Sequence, residues 1–102
     1  MKRPVFWSRS ALDDLKQQIS WIAREDPAAA RRVATRIRAA GDNLADFATG
    51  HPGRVAGSYE KSVGGLPYVI AYAIDWRAAD EVIVVLRVIH TARDWREGEW
   101  PG

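Results

Sequence analysis

The sequence predicts an α+β fold: a two-layer sandwich in which a helical hairpin packs on one face of a mainly antiparallel sheet, in the order β-α-α-β-β-β. Two observations predict it. Two consecutive segments repeat apolar residues every three or four positions, which is typical of amphipathic helices. Three later segments are rich in β-branched and aromatic residues and are separated by short turns, which favours an antiparallel meander. The length fits one compact domain, so we assign residues 1–102 to a single domain.

The first strand is predicted in "RPVFW", with Val5 and Trp7 on one face, and a helix follows it. Ser10 and Asp13 have the spacing of a capping box at the start of that helix. Trp21 lies roughly opposite the apolar stripe, where it either rests on a neighbouring loop or anchors another chain. The stripe itself consists of Leu12, Leu15, Ile19 and Ile22.

The second helix is predicted to begin at Asp26, which can cap it, followed by Pro27 at the first helical position. The many small residues on its apolar face favour close packing against the first helix. After it, "ATGHPGRVAG" reads as a loop because of its Gly and Pro content. The apolar face of the second helix consists of Ala30, Val33, Ala34, Ile37, Gly41, Leu44 and Ala48.

Arginine dominates the basic residues: it supplies twelve of the fifteen, although the net charge is only +2. Guanidinium groups bind phosphate and carboxylate in a bidentate manner, so both a nucleic acid and an acidic protein remain open as partners. Four of these arginines lie on the second helix, Arg31 and Arg38 on one flank and Arg32 and Arg36 on the other. The simplest interpretation of these four is a solvated face.

The strands of the meander are predicted around Tyr59 to Val63, Tyr68 to Ile74 and Val82 to His90. The last of them is apolar on both faces, as strands covered on both sides are. Two helices cover one face of a sheet, so we expect the other face to be shielded by the C-terminal tail or by a partner. Strict alternation puts Val82, Val84, Leu86, Val88 and His90 on one side, and Ile83, Val85, Arg87 and Ile89 on the other.

Several classes of protein are not expected. The sequence has no cysteine, which excludes a disulfide framework, a thiol nucleophile and a cysteine-ligated metal. Two histidines alone do not favour a zinc site, and we expect neither metal nor cofactor. The start lacks the apolar core of a signal peptide, and no apolar run has the length of a membrane span, so we expect a cytoplasmic protein.

The order of the motifs resembles the ParE/RelE superfamily, the toxins of type II toxin–antitoxin pairs, whose members include plasmid-stabilisation toxins. The matching stretches are "VFWSRSALDDLKQQISWIAREDPAAARRVATRI", "GRVAGSYEKSV", "LPYVIAYAID" and "VLRVIHTARDW". The resemblance implies the same sandwich. It also implies a cognate antitoxin, a small DNA-binding protein whose acidic C-terminal segment wraps the toxin. We predict that Trp21, Tyr72, Ile83, Val85, Arg87 and Ile89 bind that antitoxin.

The superfamily divides by target, and both branches remain open. RelE-like members cleave messenger RNA on the ribosome, which needs a base, an acid and cations around the phosphate. In that case the catalytic candidates are Arg54, Lys61, Arg87 and His90, with Glu60, Tyr68 or Tyr72 beside them. The set is sparse, and alternation separates Arg87 from His90 unless a bulge intervenes. His90 is more simply interpreted as a packed, hydrogen-bonded histidine at a strand end, and Arg87 is equally well interpreted as the partner of Asp75 or Glu60 across strands.

ParE-like members instead poison DNA gyrase by binding, and this is the branch that we favour. The resemblance implicates the C-terminal region, which here reads "RDWREGEW" and suits a binding element better than an acid/base site. We therefore expect a toxin that is not an enzyme. A third alternative is a non-toxic binding or co-repressor module. The residues predicted to contact the target are Arg93, Asp94, Trp95, Arg96 and Trp100.

Overall fold

The computed structural model describes residues 3–46, 51–53, 56–75 and 81–91. Two helices lie against a sheet of five strands, and the sheet order is β1-β5-β4-β3-β2. The elements are β1 (Val5–Trp7), α1 (Arg9–Ala23), α2 (Pro27–Asp42), a 3-10 turn (Asn43–Ala45), β2 (His51–Pro52), β3 (Tyr59–Ser62), β4 (Tyr68–Asp75) and β5 (Val82–His90). The predicted α+β fold and its element order are confirmed.

Strand β1 runs parallel to β5, and every other pairing in the sheet is antiparallel. The first strand of the chain thus pairs with the last. The connection between these two parallel strands contains the helical hairpin and then the other three strands. The predicted loop after the second helix is wrong in one detail, because His51–Pro52 forms a two-residue strand against Tyr59 and Glu60.

Helix α1 begins two residues earlier than the predicted capping box. Its N-cap is Ser8, whose Oγ accepts a hydrogen bond from the Ala11 amide at 3.0 Å. The same hydroxyl donates to the carbonyl of Leu86 at 2.9 Å, and the Ser8 amide donates to the carbonyl of Val85. Ser10 lies inside the helix, and its assignment to a capping box is wrong because contacts with β5 fix the helix start at Ser8.

The sheet-facing side of α1 also differs from the predicted stripe. Leu15 is buried as expected, but Ala11 is fully buried and Leu12 is 42% exposed. Asp14, a carboxylate, is 8% exposed on the buried side of the helix. The buried side is therefore turned by about one residue from the predicted stripe, and it carries a charge into the layer between helix and sheet.

The start of helix α2 is confirmed. Asp26 caps it by accepting a hydrogen bond from the Ala29 amide at 3.0 Å, and Pro27 is its first residue. Near its end, Gly41 lies against the ring of Trp7, where a Cβ at residue 41 would stand 2.3 Å from Cζ2 of the indole. Glycine is needed here because the backbone of α2 and the side chain of β1 approach this closely.

Strand β5 contains a bulge. Tyr72 pairs with Val85, but Ala71 pairs with Arg87, so Leu86 is an extra residue on β5. Alternation changes phase at this point, because a bulge opposes two residues of one strand to one of the other. The predicted division of β5 into two strict faces is therefore wrong. The core between helices and sheet combines Ile37, Leu44, Ile70, Tyr72, Ile83, Val85 and Val88.

The second face of the sheet is closed at its centre. Ala71 and Glu60 lie on that face by register, as Ile89 does on β5, and their exposures are 0%, 6% and 1%. Of the two alternatives expected for this face, shielding by a partner is not needed at these positions, because the chain itself buries them. Within the described residues, neither helix has the length and apolar character needed to cross a membrane.

Candidate functional site

An ion pair joins helix α1 to the bulged strand. The Nε and Nη2 atoms of Arg87 donate to Oδ2 and Oδ1 of Asp14 at 2.6 and 2.7 Å. The Val88 amide donates to the same carboxylate at 3.0 Å. The two side chains are 15% and 11% exposed, for Arg87 and Asp14 respectively. The hydrogen bond to Asp14 raises the pKa of Arg87, against the lowering effect of burial.

The bulge makes this contact possible. Strand β1 covers β5 only as far as Val85, because the chain turns into α1 after Trp7. The edge of β5 beyond Val85 therefore faces α1. On this edge the Val88 amide has no neighbouring strand to bond to, and the Asp14 carboxylate accepts its hydrogen bond instead. The prediction that Asp75 pairs with Arg87 is wrong, because Asp75 lies opposite Val82 at the other end of β5. The other predicted partner, Glu60, lies opposite Ala71, which in turn lies opposite Arg87.

His90 lies at the end of β5, opposite Tyr68. The two rings meet edge to face, with centroids 5.2 Å apart and planes at 88°. His90 is half-buried and Tyr68 is buried. The bulge precedes Arg87, so the strand from Arg87 to His90 alternates regularly. Two residues that are three positions apart in a regular strand lie on opposite faces, as Arg87 and His90 therefore do.

Lys61 is on β3 and pairs with Ile70, which in turn pairs with Val88. It therefore stands two strands away from β5, about 10 Å at the usual strand spacing. Tyr72 is buried under Tyr59, with ring centroids 5.6 Å apart, and its pKa is raised by this burial and then by Tyr59. The fold does not bring Lys61, Arg87 and His90 to one point, and Arg54 lies outside the described residues.

A groove of about 730 Å³ opens at the end of the sheet where His90 lies. Its walls come from α1, from α2 and from the turn between β3 and β4. Trp21 is 70% exposed at its rim, and the guanidinium of Arg24 sits 5.5 Å from the centre of the indole ring. The lining is Gln17, Gln18, Trp21, Ile22, Val33, Leu66, Pro67, Tyr68 and His90.

The residues predicted to bind an antitoxin fall in three places. Trp21 is exposed at the groove, as its position off the helix stripe indicated. Tyr72, Ile83 and Val85 belong to the core under the helices, with exposures of 1%, 0% and 0%. Their assignment to an open face is wrong. Arg87 is held by Asp14, and Ile89 is buried on the second face.

The groove was not predicted from the sequence, and two signals for it were present. "GGLPY" places a turn with Leu66 and Pro67 directly before the strand that carries Tyr68. Trp21 off the apolar stripe indicated an aromatic near a loop. What joins them is the packing of the hairpin on the sheet. The predicted target-binding residues, Arg93, Asp94, Trp95, Arg96 and Trp100, lie outside the described residues.

The two-layer architecture is shared with a protein of known structure. A solved structure titled "Chromosomal ParDE TA system from P. aeruginosa" aligns with a TM-score of 0.78 over 87% of this chain and 96% of that chain. The two sequences are 19% identical, so this likeness concerns the fold.

The family described as "ParE toxin of type II toxin-antitoxin system, parDE" matches residues 5–95, and the chain belongs to it. A putative toxin, Y4kP of Sinorhizobium fredii, is 34% identical over 92% of this chain and 94% of its own length. Toxin RelE2 of Caulobacter vibrioides is 36% identical over 87% of this chain and 96% of its own length. The protein is a type II toxin of the ParE/RelE superfamily, and this membership implies an antitoxin partner.

Proposed function

We propose that this toxin arrests growth in the cytoplasm by ParE-like poisoning of DNA gyrase, through binding and without catalysis of its own. The observation that carries this proposal is the engagement of Arg87. A nuclease would aim this guanidinium at a phosphate, but here its Nε and Nη2 atoms bind Asp14 in a nearly buried pair. Freeing it would leave the Asp14 carboxylate buried and unpaired, which costs several kcal/mol, about 3–5.

The other nuclease candidates support the same conclusion. Metal-free RNA cleavage needs its base, acid and cations within hydrogen-bond reach of one phosphate. His90 packs against Tyr68 on the face opposite to Arg87, and Lys61 stands two strands away. The described residues therefore hold no assembled acid/base set. Binding to gyrase is assigned to the tail residues Arg93, Asp94, Trp95, Arg96 and Trp100.

We further propose that the antitoxin is a small DNA-binding protein and that its C-terminal segment occupies the groove at Trp21. The groove offers apolar surface from Trp21, Ile22 and Leu66, which an amphipathic segment would cover. Arg24 stands over Trp21 at the rim of the groove, and an acidic side chain of the segment would pair with this guanidinium group.

The deciding experiment measures two activities with one preparation of the toxin. We expect inhibition of DNA supercoiling by gyrase, and no cleavage of messenger RNA in a ribosome-dependent translation assay. The variant Trp95→Ala/Trp100→Ala tests the tail and should lose gyrase inhibition while keeping the melting temperature. The variant His90→Ala, with its fold checked by the same melting temperature, should still inhibit gyrase.

One observation favours the RelE-like alternative, an mRNA endonuclease: a relative that is 36% identical is named Toxin RelE2. Ribosome-dependent cleavage that disappears in a folded His90→Ala variant would establish that alternative and refute the gyrase proposal. Unchanged growth on induced expression of the wild-type chain would instead identify a non-toxic co-repressor module.

A further inference from the structure

Helix α2 presents a cationic face that the toxin activity does not use. Arg31, Arg32, Arg36 and Arg38 are all exposed, and no Asp or Glu occurs between Pro27 and Gly41. The carboxylates at its two ends have partners there: Asp26 caps the helix, and Asp42 accepts from the indole of Trp7 at 3.2 Å. From Pro27 to Gly41 the charged side chains of the helix are therefore all positive, and the carboxylates lie only at its two ends.

The four arginines stand in two rows. At about 100° per residue, Arg31 and Arg38 lie on one flank and Arg32 and Arg36 on the other, roughly 100–160° around the axis. The crest between the rows carries short side chains, Ala28, Thr35 and Ala39, all exposed. The Thr35 hydroxyl turns back to the carbonyl of Arg31 at 2.9 Å, so it does not project from the crest.

Two of the arginines are held in place. Arg36 donates through Nη2 to the carbonyl of Gly64, and the guanidinium of Arg38 sits 5.0 Å from the centre of the Trp7 ring. Each keeps further N–H groups for a ligand, because guanidinium has five donors and a ring contact uses its face. One fixed cation on each flank reduces the entropy lost when a polyanion binds.

We propose that this face of α2, defined by Arg31, Arg32, Arg36 and Arg38, binds the phosphate backbone of duplex DNA along the major groove. A helix about 10–12 Å across fits a groove about 12 Å wide, and its two flanks then face the two phosphate strands that border the groove. Short crest residues allow this approach. The crest has no Asn, Gln or Arg aimed at base edges, so binding is independent of sequence.

This inference does not depend on gyrase as the target. It gives the toxin a direct contact with DNA, whether at an operator, where an antitoxin bound to DNA would hold the toxin near the duplex, or on DNA held by another protein. An acidic protein segment is a less suitable occupant, because a single extended chain or helix offers one row of carboxylates to two rows of arginines. Duplex RNA is unsuitable because its major groove is too deep and narrow for a helix.

The test uses the full-length toxin without antitoxin and a fluorescent DNA duplex of two helical turns, with anisotropy measured over a series of salt concentrations. Four phosphate contacts predict a slope of log K against log salt of about −3.6. The variant Arg31→Gln/Arg32→Gln removes one cation from each flank and leaves the two held arginines. It should halve the slope to about −1.8 and weaken binding about sixtyfold at 0.1 M salt.

The matched control is Arg9→Gln/Lys16→Gln, which removes the same charge from exposed positions of α1. It should weaken binding less than about threefold, and all variants should keep the melting temperature of the wild type. Equal losses in both variants would mean that only net charge matters and would overturn the proposal. If a duplex RNA of the same sequence bound as tightly as the DNA, binding of α2 in the DNA major groove would be excluded. Tighter binding of a polyglutamate peptide than of DNA, lost in Arg31→Gln/Arg32→Gln, would assign the face to an acidic protein instead.

Discussion

Asp14 of α1 and Arg87 of β5 are joined by two hydrogen bonds of 2.6 and 2.7 Å, across 73 positions of the sequence. The same carboxylate accepts the Val88 amide, so one side chain binds both a cation and a strand edge. It fastens the first helix to the last strand just beyond the end of β1. This contact explains why a charge is buried in a small core, and why Arg87 is not offered to a ligand.

Removal of either partner should destabilise the fold strongly. In Asp14→Ala, Arg87 loses its carboxylate and the Val88 amide loses its acceptor, so we expect the free energy of unfolding to fall by about 3–5 kcal/mol. Urea denaturation followed by circular dichroism measures this. Arg87→Ala should lower the free energy of unfolding by a similar amount, because it leaves the Asp14 carboxylate buried without its cationic partner.

The double variant Asp14→Ala/Arg87→Ala completes the cycle. Because neither charge is left alone, its loss should be smaller than the sum of the single losses by at least about 1 kcal/mol. Strictly additive losses would show that the two side chains act independently, against the geometry.

Gly41→Ala should destabilise the protein by about 1–3 kcal/mol, because the added methyl group overlaps the Trp7 ring. Gly64→Ala is the matched control, since a Cβ there meets nothing within 4 Å. Thermal melts of the two variants provide the comparison. A Gly41→Ala protein as stable as the Gly64→Ala protein would mean that Trp7 and α2 separate at no cost.

Trp21→Ala should weaken binding of the cognate antitoxin while leaving the toxin folded, because this indole is 70% exposed at the groove. An anchor residue of an interface contributes about 2 kcal/mol or more, which corresponds to roughly a thirtyfold rise in Kd. Isothermal titration with the antitoxin measures it. Phe6→Ala, at an aromatic residue that is 60% exposed on β1, is the control. If Phe6→Ala raised the Kd and Trp21→Ala left it unchanged, the antitoxin would bind elsewhere on the toxin.

Stability should fall at alkaline pH because of Tyr72. Burial raises the pKa of its phenol above the ordinary value of 10.0. In the unfolded chain the phenol ionises near pH 10, so unfolding then releases a proton. The stabilisation is therefore complete below about pH 10 and decreases as pH rises through the higher folded value.

Tyr72→Phe should flatten this decrease in a series of urea titrations between neutral and alkaline pH. Tyr59→Phe, which alters the exposed partner of the stack, should keep most of it. Identical pH profiles for wild type and Tyr72→Phe would refute the assignment to Tyr72.

Local patterns predicted the elements well. Asp26 and Pro27 predicted the start of α2 because a cap and its helix are adjacent in sequence. The strands were predicted within one residue or so at each end, since β-branched runs end at Gly, Pro and Asp turns. The start of α1 was predicted wrongly because the partner of Ser8, the Leu86 carbonyl, is 78 positions away.

The sequence by itself determined the α+β fold, the order of the elements and the resemblance to the ParE/RelE toxins, because periodicity and turn residues act over short distances along the chain. Tertiary structure alone decided the bulge at Leu86, and with it which side chains of β5 face the helices. It also decided that Arg87 meets Asp14 and that Trp21, Leu66 and His90 border one groove. A single extra residue in a strand reverses the faces of all residues that follow it. The position of that residue depends on the register between β4 and β5, and this register cannot be read from the alternation of residues within β5 alone.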